Sequence, residues 1–198
     1  KKWNRKHGPI LRFDDEKYWP EGLSTTDPNF DADTYRVAEI NSFNYKKEDL
    51  NSKVYKTAVA QLADYRDGQT PVDQIFDLEL FAKFYAITDL VGAHHGLRWL
   101  NCRYYYNPET KLIEPAGFDA NATRINNIAL HDVRLNEAHQ SKLTSDPKFL
   151  EHYDFYLNEY SKKGFLDDFY EKHDAELALI LEAFNDQFDV DMSSLKTD

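Results

Sequence analysis

The stretch Asp77–Asn121, DLELFAKFYAITDLVGAHHGLRWLNCRYYYNPETKLIEPAGFDAN, decides how this chain is read. Leu80, Phe81, Phe84, Tyr85, Thr88 and Val91 recur at intervals of three and four, which predicts a helix opened by Asp77 and stopped at Gly92. Its face is apolar enough to sit deep in a domain. A polar loop carrying His94 and His95 follows. Asn101–Tyr106 then reads as a strand with Cys102, Tyr104 and Tyr106 on one face, NPETK as a turn, and Lys111–Pro115 as the returning antiparallel strand. The stretch ends on GFDAN, so Asp119 falls just past the second strand. Helix, loop, hairpin and acid form one unit, and the rest of the chain frames it.

Working outward, Gly8–Phe13 (GPILRF) predicts a strand. Ser24–Asp33 is dense in turn formers and reads as a loop, and Tyr35–Ile40 alternates enough to suggest a second strand. Ser52 can cap a helix to about Arg66, with Val54, Ala58, Leu62 and Tyr65 on one face and Gly68 as its stop. Thr70-Pro71 predicts a short helix, and Asp146-Pro147 starts another through Leu150, Tyr153, Leu157 and Tyr160. A last helix spans Phe165–Phe188, with His173 on its apolar stripe and expected in the core. The expectation is one α+β domain over residues 1–198, mostly α-helical, with a small hairpin.

The composition sets limits. The 198 residues suffice for one sizeable core, and 41% hydrophobic with 15% aromatic residues excludes a disordered chain. A net charge of -11 argues against a nucleic-acid backbone as partner. No apolar run is long enough to span a bilayer. KKWNRKHG lacks both an initiator Met and an apolar signal core, which reads as a processed chain or part of a longer one. Cys102 stands alone, so no intrachain disulfide and no Cys-based zinc site can form; a cytoplasmic and an exported or bacterial-surface location both stay open.

Several residues could carry chemistry. A carboxylate at a strand end, as Asp119 is, with a polar residue two positions on, can hold a hard divalent cation through oxygen ligands. His94 and His95 offer a general base, and Asn101 an amide oxygen. Each has a plain structural alternative: an Asx turn, histidine bonds to backbone, an ordered turn. Asp89, on the flank of the helix face, reads as a buried, hydrogen-bonded carboxylate with a structural use. Asp14, Asp15 and Glu16 form a charge run beside Trp19. His131, His139, His152 and His173 share no ligand spacing. Asn121-Ala122-Thr123 fits the glycosylation acceptor pattern in a secretory context. GxxxxGKS/T, GxSxG and a Gly-rich phosphate loop are all missing.

With these residues in view, the central stretch resembles the CotH family, the spore-coat-protein-H-like atypical protein kinases. That family has a helix rich in Phe, Tyr and Ala, a loop with an acidic residue, then N-x-x-x-Y, then a short strand leading to W-D-x-D. Here these are FDLELFAKFYAITDL, the histidine loop, NCRYYY and GFDAN, and GPILRFDDEKYW is similar to the segment before the kinase C-lobe. The likeness covers roughly Lys6 to Asn121. It implies an atypical kinase-like C-lobe in which Asp119 is the metal-binding aspartate, holding Mg²⁺ or Mn²⁺ against ATP phosphates, with Asn121 in the second acidic position of the motif. Asn101 matches the Asn before the hairpin strand, and Tyr105 its aromatic neighbour. The family's Trp is Phe118 here, its last Asp is Asn121, and its catalytic Asp falls at His95 or Gly96, leaving His95 as the base.

The resemblance implies transfer of the ATP γ-phosphate to protein Ser or Thr, with a nucleotide bound if an upstream lobe is present. Residues 1–40 would be a remnant of that lobe or a linker from it. Two other classes stay open: a degenerate, pseudokinase-type binding module of a bacterial surface or spore, and a carbohydrate-active or sugar-binding domain using Trp3, Trp19 and Trp99.

Overall fold

A computed structural model describes residues 6–16, 19, 27, 29–68, 70–120 and 138–188. Its elements are β1 (Ile10–Phe13), α1 (Phe30–Val37), β2 (Ile40–Ser42), α2 (Lys53–Asp67), α3 (Leu78–Leu90), β3 (Arg103–Tyr106), β4 (Ile113–Ala116), α4 (Ser141–Thr144), α5 (Pro147–Tyr160) and α6 (Phe165–Phe188). Single 3-10 turns occupy Lys47–Asn51, Val72–Gln74 and His94–Leu97. The class is α+β, mostly helical, with a four-stranded antiparallel sheet in the order β2-β1-β3-β4. Two compact units divide the chain, Lys1–Leu157 and Asn158–Asp198.

The sheet belongs to the first unit, and β1 is an interior strand in it, pairing Leu11 with Ser42 on one side and with Tyr104 on the other. β3 and β4 pair from Arg103↔Ala116 to Tyr106↔Ile113. Alternation sends Leu11, Phe13, Tyr104 and Tyr106 into the core, where all four are buried. The core is aromatic. The Phe13 ring meets Tyr35 at 4.8 Å and Tyr104 at 6.0 Å, and Phe76 meets Tyr65 at 4.6 Å and Phe81 at 4.7 Å. Each such pair adds about 0.5–1.5 kcal/mol beyond simple burial. Burial also pushes the Tyr65 and Tyr104 phenols well above their ordinary acidity range.

Local signals set most boundaries. Ser52 Oγ accepts from the Tyr55 N–H at the start of α2, and Gly68 closes that helix in the left-handed region. Asp77 caps α3 by accepting from Leu80 N at 3.0 Å. Asp146 accepts from the N–H groups of Lys148 and Phe149 at the start of α5. The hairpin turn is held by Asn107, whose Oδ1 accepts from Glu109 N and whose Nδ2 donates to Glu114.

Two expectations need correction. Tyr35–Ile40 is not a strand: Tyr35–Val37 is the end of α1, and only Ile40 begins β2. The helix starts inside the expected loop, with Asp31 and Asp33 in its first turn, Arg36 in its last and an Arg36–Asp33 ion pair at 2.8 Å. Six residues with mixed polarity fit both periods, and the buried side of Tyr35 against Phe13 favours the helix. His173 is not a core residue either. It lies half-exposed on α6 with Nδ1 3.2 Å from Glu176 Oε2.

Candidate functional site

α3 is anchored to the hairpin before it begins. Ile113 N donates to Ile75 O at 2.8 Å and Asp77 N to Ile113 O at 2.9 Å, so the helix starts against β4. Thirteen residues later it ends at Leu90, and Gly92 turns the chain at a φ of 65°. The 3-10 turn His94–Leu97 follows at once. Asn101 and Cys102 both donate their N–H to Arg98 O, which folds the chain back before β3 opens at Arg103.

This route sets Asp89 in the last turn of α3 with no exposed side-chain surface. Its Oδ1 lies 3.0 Å from His94 Nε2, and its Oδ2 accepts from the Tyr153 hydroxyl of α5 at 2.6 Å. A buried carboxylate costs several kcal/mol unless it is hydrogen-bonded, and both contacts are of the stronger, charge-assisted kind.

His95 points elsewhere. Its Nε2 lies 3.3 Å from Asp119 Oδ2, with side chains 41% and 52% exposed. A pair that open contributes about 0–1 kcal/mol, too little to hold the two segments together. Closer packing holds them. A Cβ on Gly96 would stand 3.0 Å from Phe118 O and 3.1 Å from Ala120 Cα, so a side chain there would press the segment leaving β4 back by a few tenths of an ångström. Asn101 fixes the other side of the loop by donating Nδ2 to His95 O at 2.9 Å. Asp119 itself takes a φ of 44°, in the left-handed region that Asp tolerates better than most residues.

Phe118 is fixed from below by Arg103. The guanidinium lies 4.1 Å from the Phe118 ring centre and 4.5 Å from that of Phe43. Its Nη1 donates to Leu100 O at 2.7 Å and Cys102 O at 3.0 Å, on either side of Asn101. Burial, and then the neighbouring charge of Arg12, lowers its proton affinity. Arg103 therefore ties the Asn101 turn to the Asp119 segment.

Of the residues singled out in the sequence, His95, Asn101 and Asp119 come together, while Asn121 lies outside the described residues. So do Trp3, His131, Ala122 and Thr123. The Asp14–Glu16 run disperses: Asp15 serves Arg12 and Trp19, and Asp14 accepts from Asn41 and from Glu16 N. His139 is buried with Nε2 on Leu97 O at 2.7 Å. Trp99 is buried, its Nε1 donating to Asp31.

The sequence missed two things. Asp89 was legible as a buried, bonded acid, but neither His94 nor Tyr153 could be named as its partner, because the second contact spans 64 positions. Arg103 carried a signal, since strand alternation opposes it to Tyr104, yet its aromatic cover comes from Phe43 and Phe118 on distant segments.

A divalent ion can be tested against these donors. Among the described residues no group of three or more His, Cys, Asp or Glu is placed to hold a metal. Asp119 offers one carboxylate. Mg²⁺ is commonly held by one or two carboxylates plus substrate phosphates, and the described residues do not form a cage for a resident ion. No family model, no curated protein and no solved structure matches the chain. Among the described residues no helix is long and apolar enough to cross a membrane.

Proposed function

We propose that the Lys1–Leu157 unit is a CotH-like, atypical kinase-type C-lobe that moves the γ-phosphate of ATP to a Ser or Thr hydroxyl of a protein. One observation carries the reading. His95 meets Asn101, which donates Nδ2 to its carbonyl, and Asp119, whose carboxylate lies 3.3 Å from its ring across the hairpin. That cluster supports the reading, because most of the rate of phosphoryl transfer comes from positioning and charge stabilisation. Asp119 would hold Mg²⁺ or Mn²⁺ on the nucleotide phosphates, Asn121 would follow it in the motif, and Asn101 would keep the loop facing the nucleotide. A histidine of the loop stands in for the catalytic aspartate.

The test is phosphate transfer from γ-labelled ATP with Mn²⁺, using the full gene product and a Ser/Thr-rich protein acceptor such as casein. Transfer that disappears in Asp119→Ala supports the reading. No transfer, or transfer indifferent to Asp119, defeats it.

A second reading is favoured by the 3.3 Å contact of His95 with Asp119. An imidazole against the Asp119 carboxylate describes a degenerate, pseudokinase-type binding module. Nucleotide binding without turnover would select it.

A further inference from the structure

We propose that the outward face of the Phe118 ring, walled by Phe43, is the stacking platform for the flat heteroaromatic base of the nucleotide. This rests on the phosphotransfer reading above and assigns the part of the ligand that the metal does not touch.

The platform starts from the sheet. β1 and β3 run antiparallel with Leu11 opposite Tyr104, and continuing that register sets Arg12 opposite Arg103 on the face turned away from the core. Like charges so placed repel. Asp15 offsets one of them, its Oδ1 lying 3.3 Å from Arg12 Nη1. Aromatic faces take up the rest. The Phe43 ring centre lies 4.9 Å from the Arg12 guanidinium and 4.5 Å from that of Arg103, and the Phe118 ring centre lies 4.1 Å from Arg103. The two rings stand 5.9 Å apart at 40°. That is far less than the two Arg103 distances end to end, so the guanidinium sits at the foot of the pair and is not sandwiched between the rings. Arg103 is buried while Phe43 and Phe118 are about half exposed, so the open surface of Phe118 lies away from the cation.

A ring with one face on a cation and the other in solvent has a preference. The guanidinium draws π density toward itself, so the open face takes a neutral, electron-rich planar ring better than a second cation. A purine base has that character, and stacking of bases on aromatic side chains is a general mode of binding. Phe118 is also the residue before Asp119, so the base end and the metal end of one nucleoside triphosphate fall on neighbouring residues. Arg12 and Arg103 are positioning residues, which hold the rings and not the ligand.

The experiment measures by calorimetry the binding of Mn²⁺-ATP and of Mn²⁺-tripolyphosphate, which has the phosphates without base or sugar, to the full gene product and to its Phe118→Leu variant. Phe118→Leu should lose about 5-fold or more in affinity for ATP, the low end for one base–aromatic stack, with tripolyphosphate affinity unchanged. Phe118→Trp should keep ATP binding, and its emission should respond to Mn²⁺-ATP beyond any response to Mn²⁺-tripolyphosphate. Equal losses for both ligands in Phe118→Leu, or no loss for either, overturn the proposal and leave the kinase reading standing. If Phe118→Leu does not fold, the Phe118→Trp emission decides: a response specific to ATP supports the platform, and none overturns it. If neither compound binds the wild type, the phosphotransfer reading fails, and adenosine alone judges the platform through the ring NMR signals of Phe43 and Phe118. Saturable shifts then uphold it and unmoved signals overturn it. Signals that move with casein and not with adenosine give this face to the acceptor protein and likewise overturn it.

Discussion

Two tyrosines on α5 give a direct measure of how much burial matters here. Tyr153 donates to Asp89 at 2.6 Å and Tyr156 donates to Glu79 at 2.5 Å, so the bond lengths are nearly equal. Their surroundings are not. Asp89 has no exposed side-chain surface, whereas Glu79 is 50% exposed and also bonds to Lys83. Removing the Tyr153 hydroxyl leaves a buried carboxylate oxygen short of a charge-assisted donor, a loss of about 1.5–3 kcal/mol. Water replaces the Tyr156 hydroxyl at once, so that change is expected to stay within about 0.5 kcal/mol. In urea denaturation, Tyr153→Phe should lower the midpoint at constant slope, and Tyr156→Phe should leave it in place. For a unit of this size the first change corresponds to a Tm lower by about 3–12 °C. Equal effects, or a Tyr153→Phe protein as stable as wild type, would show that Asp89 is hydrated and not held by Tyr153.

Other outcomes follow from the same structure. Gly68→Ala, at a φ of 71° with its new Cβ 2.7 Å from Lys142 Nζ, should destabilise by about 1 kcal/mol or more in the same urea assay. Ser52→Ala removes the α2 cap and should cost about 1 kcal/mol, with thermal unfolding as the check. Arg103→Met should cost about 1–3 kcal/mol by freeing the Leu100 and Cys102 carbonyls, and it should raise the KM for metal nucleotide by releasing Phe118. Tyr35, Tyr65 and Tyr104 have folded acidities pushed above the ordinary 10.0 by burial. Their contribution is therefore intact below pH 10 and lost as pH rises beyond it, because only the unfolded chain can ionise them. Alkaline titration should show these phenols ionising in one step with the loss of helix signal. Smooth, independent ionisation of all tyrosines would contradict their burial.

How far the sequence reaches is clearest element by element. Ser52, Asp77, Gly68, Gly92 and Asp146 act within a few residues of themselves, and the helices they bound lie where local chemistry puts them. The hairpin was legible for the same reason, since Asn107 and its turn organise it locally. α1 was not, because six residues of mixed polarity fit two periods and a distant ring, Phe13, decides between them. At the site, Asp119, His95 and Asn101 were named from type and order. The long-range contacts around them were out of reach: the close pass of Gly96 by the Phe118–Ala120 segment, the Tyr153 hydroxyl on Asp89 and the Arg103 guanidinium under Phe118 join distant segments, and no spacing rule encodes them.

The central claim, that Asp119 marks a metal–nucleotide site, is tested most directly by titrating the protein with ATP and Mn²⁺ in a calorimeter, beside Asp119→Ala. Saturable binding that needs both the metal and Asp119 is expected, with wild type gaining about 2.7 kcal/mol of stability at a ligand concentration 100 times Kd. Heats indistinguishable from dilution, or equal binding by Asp119→Ala, would contradict it.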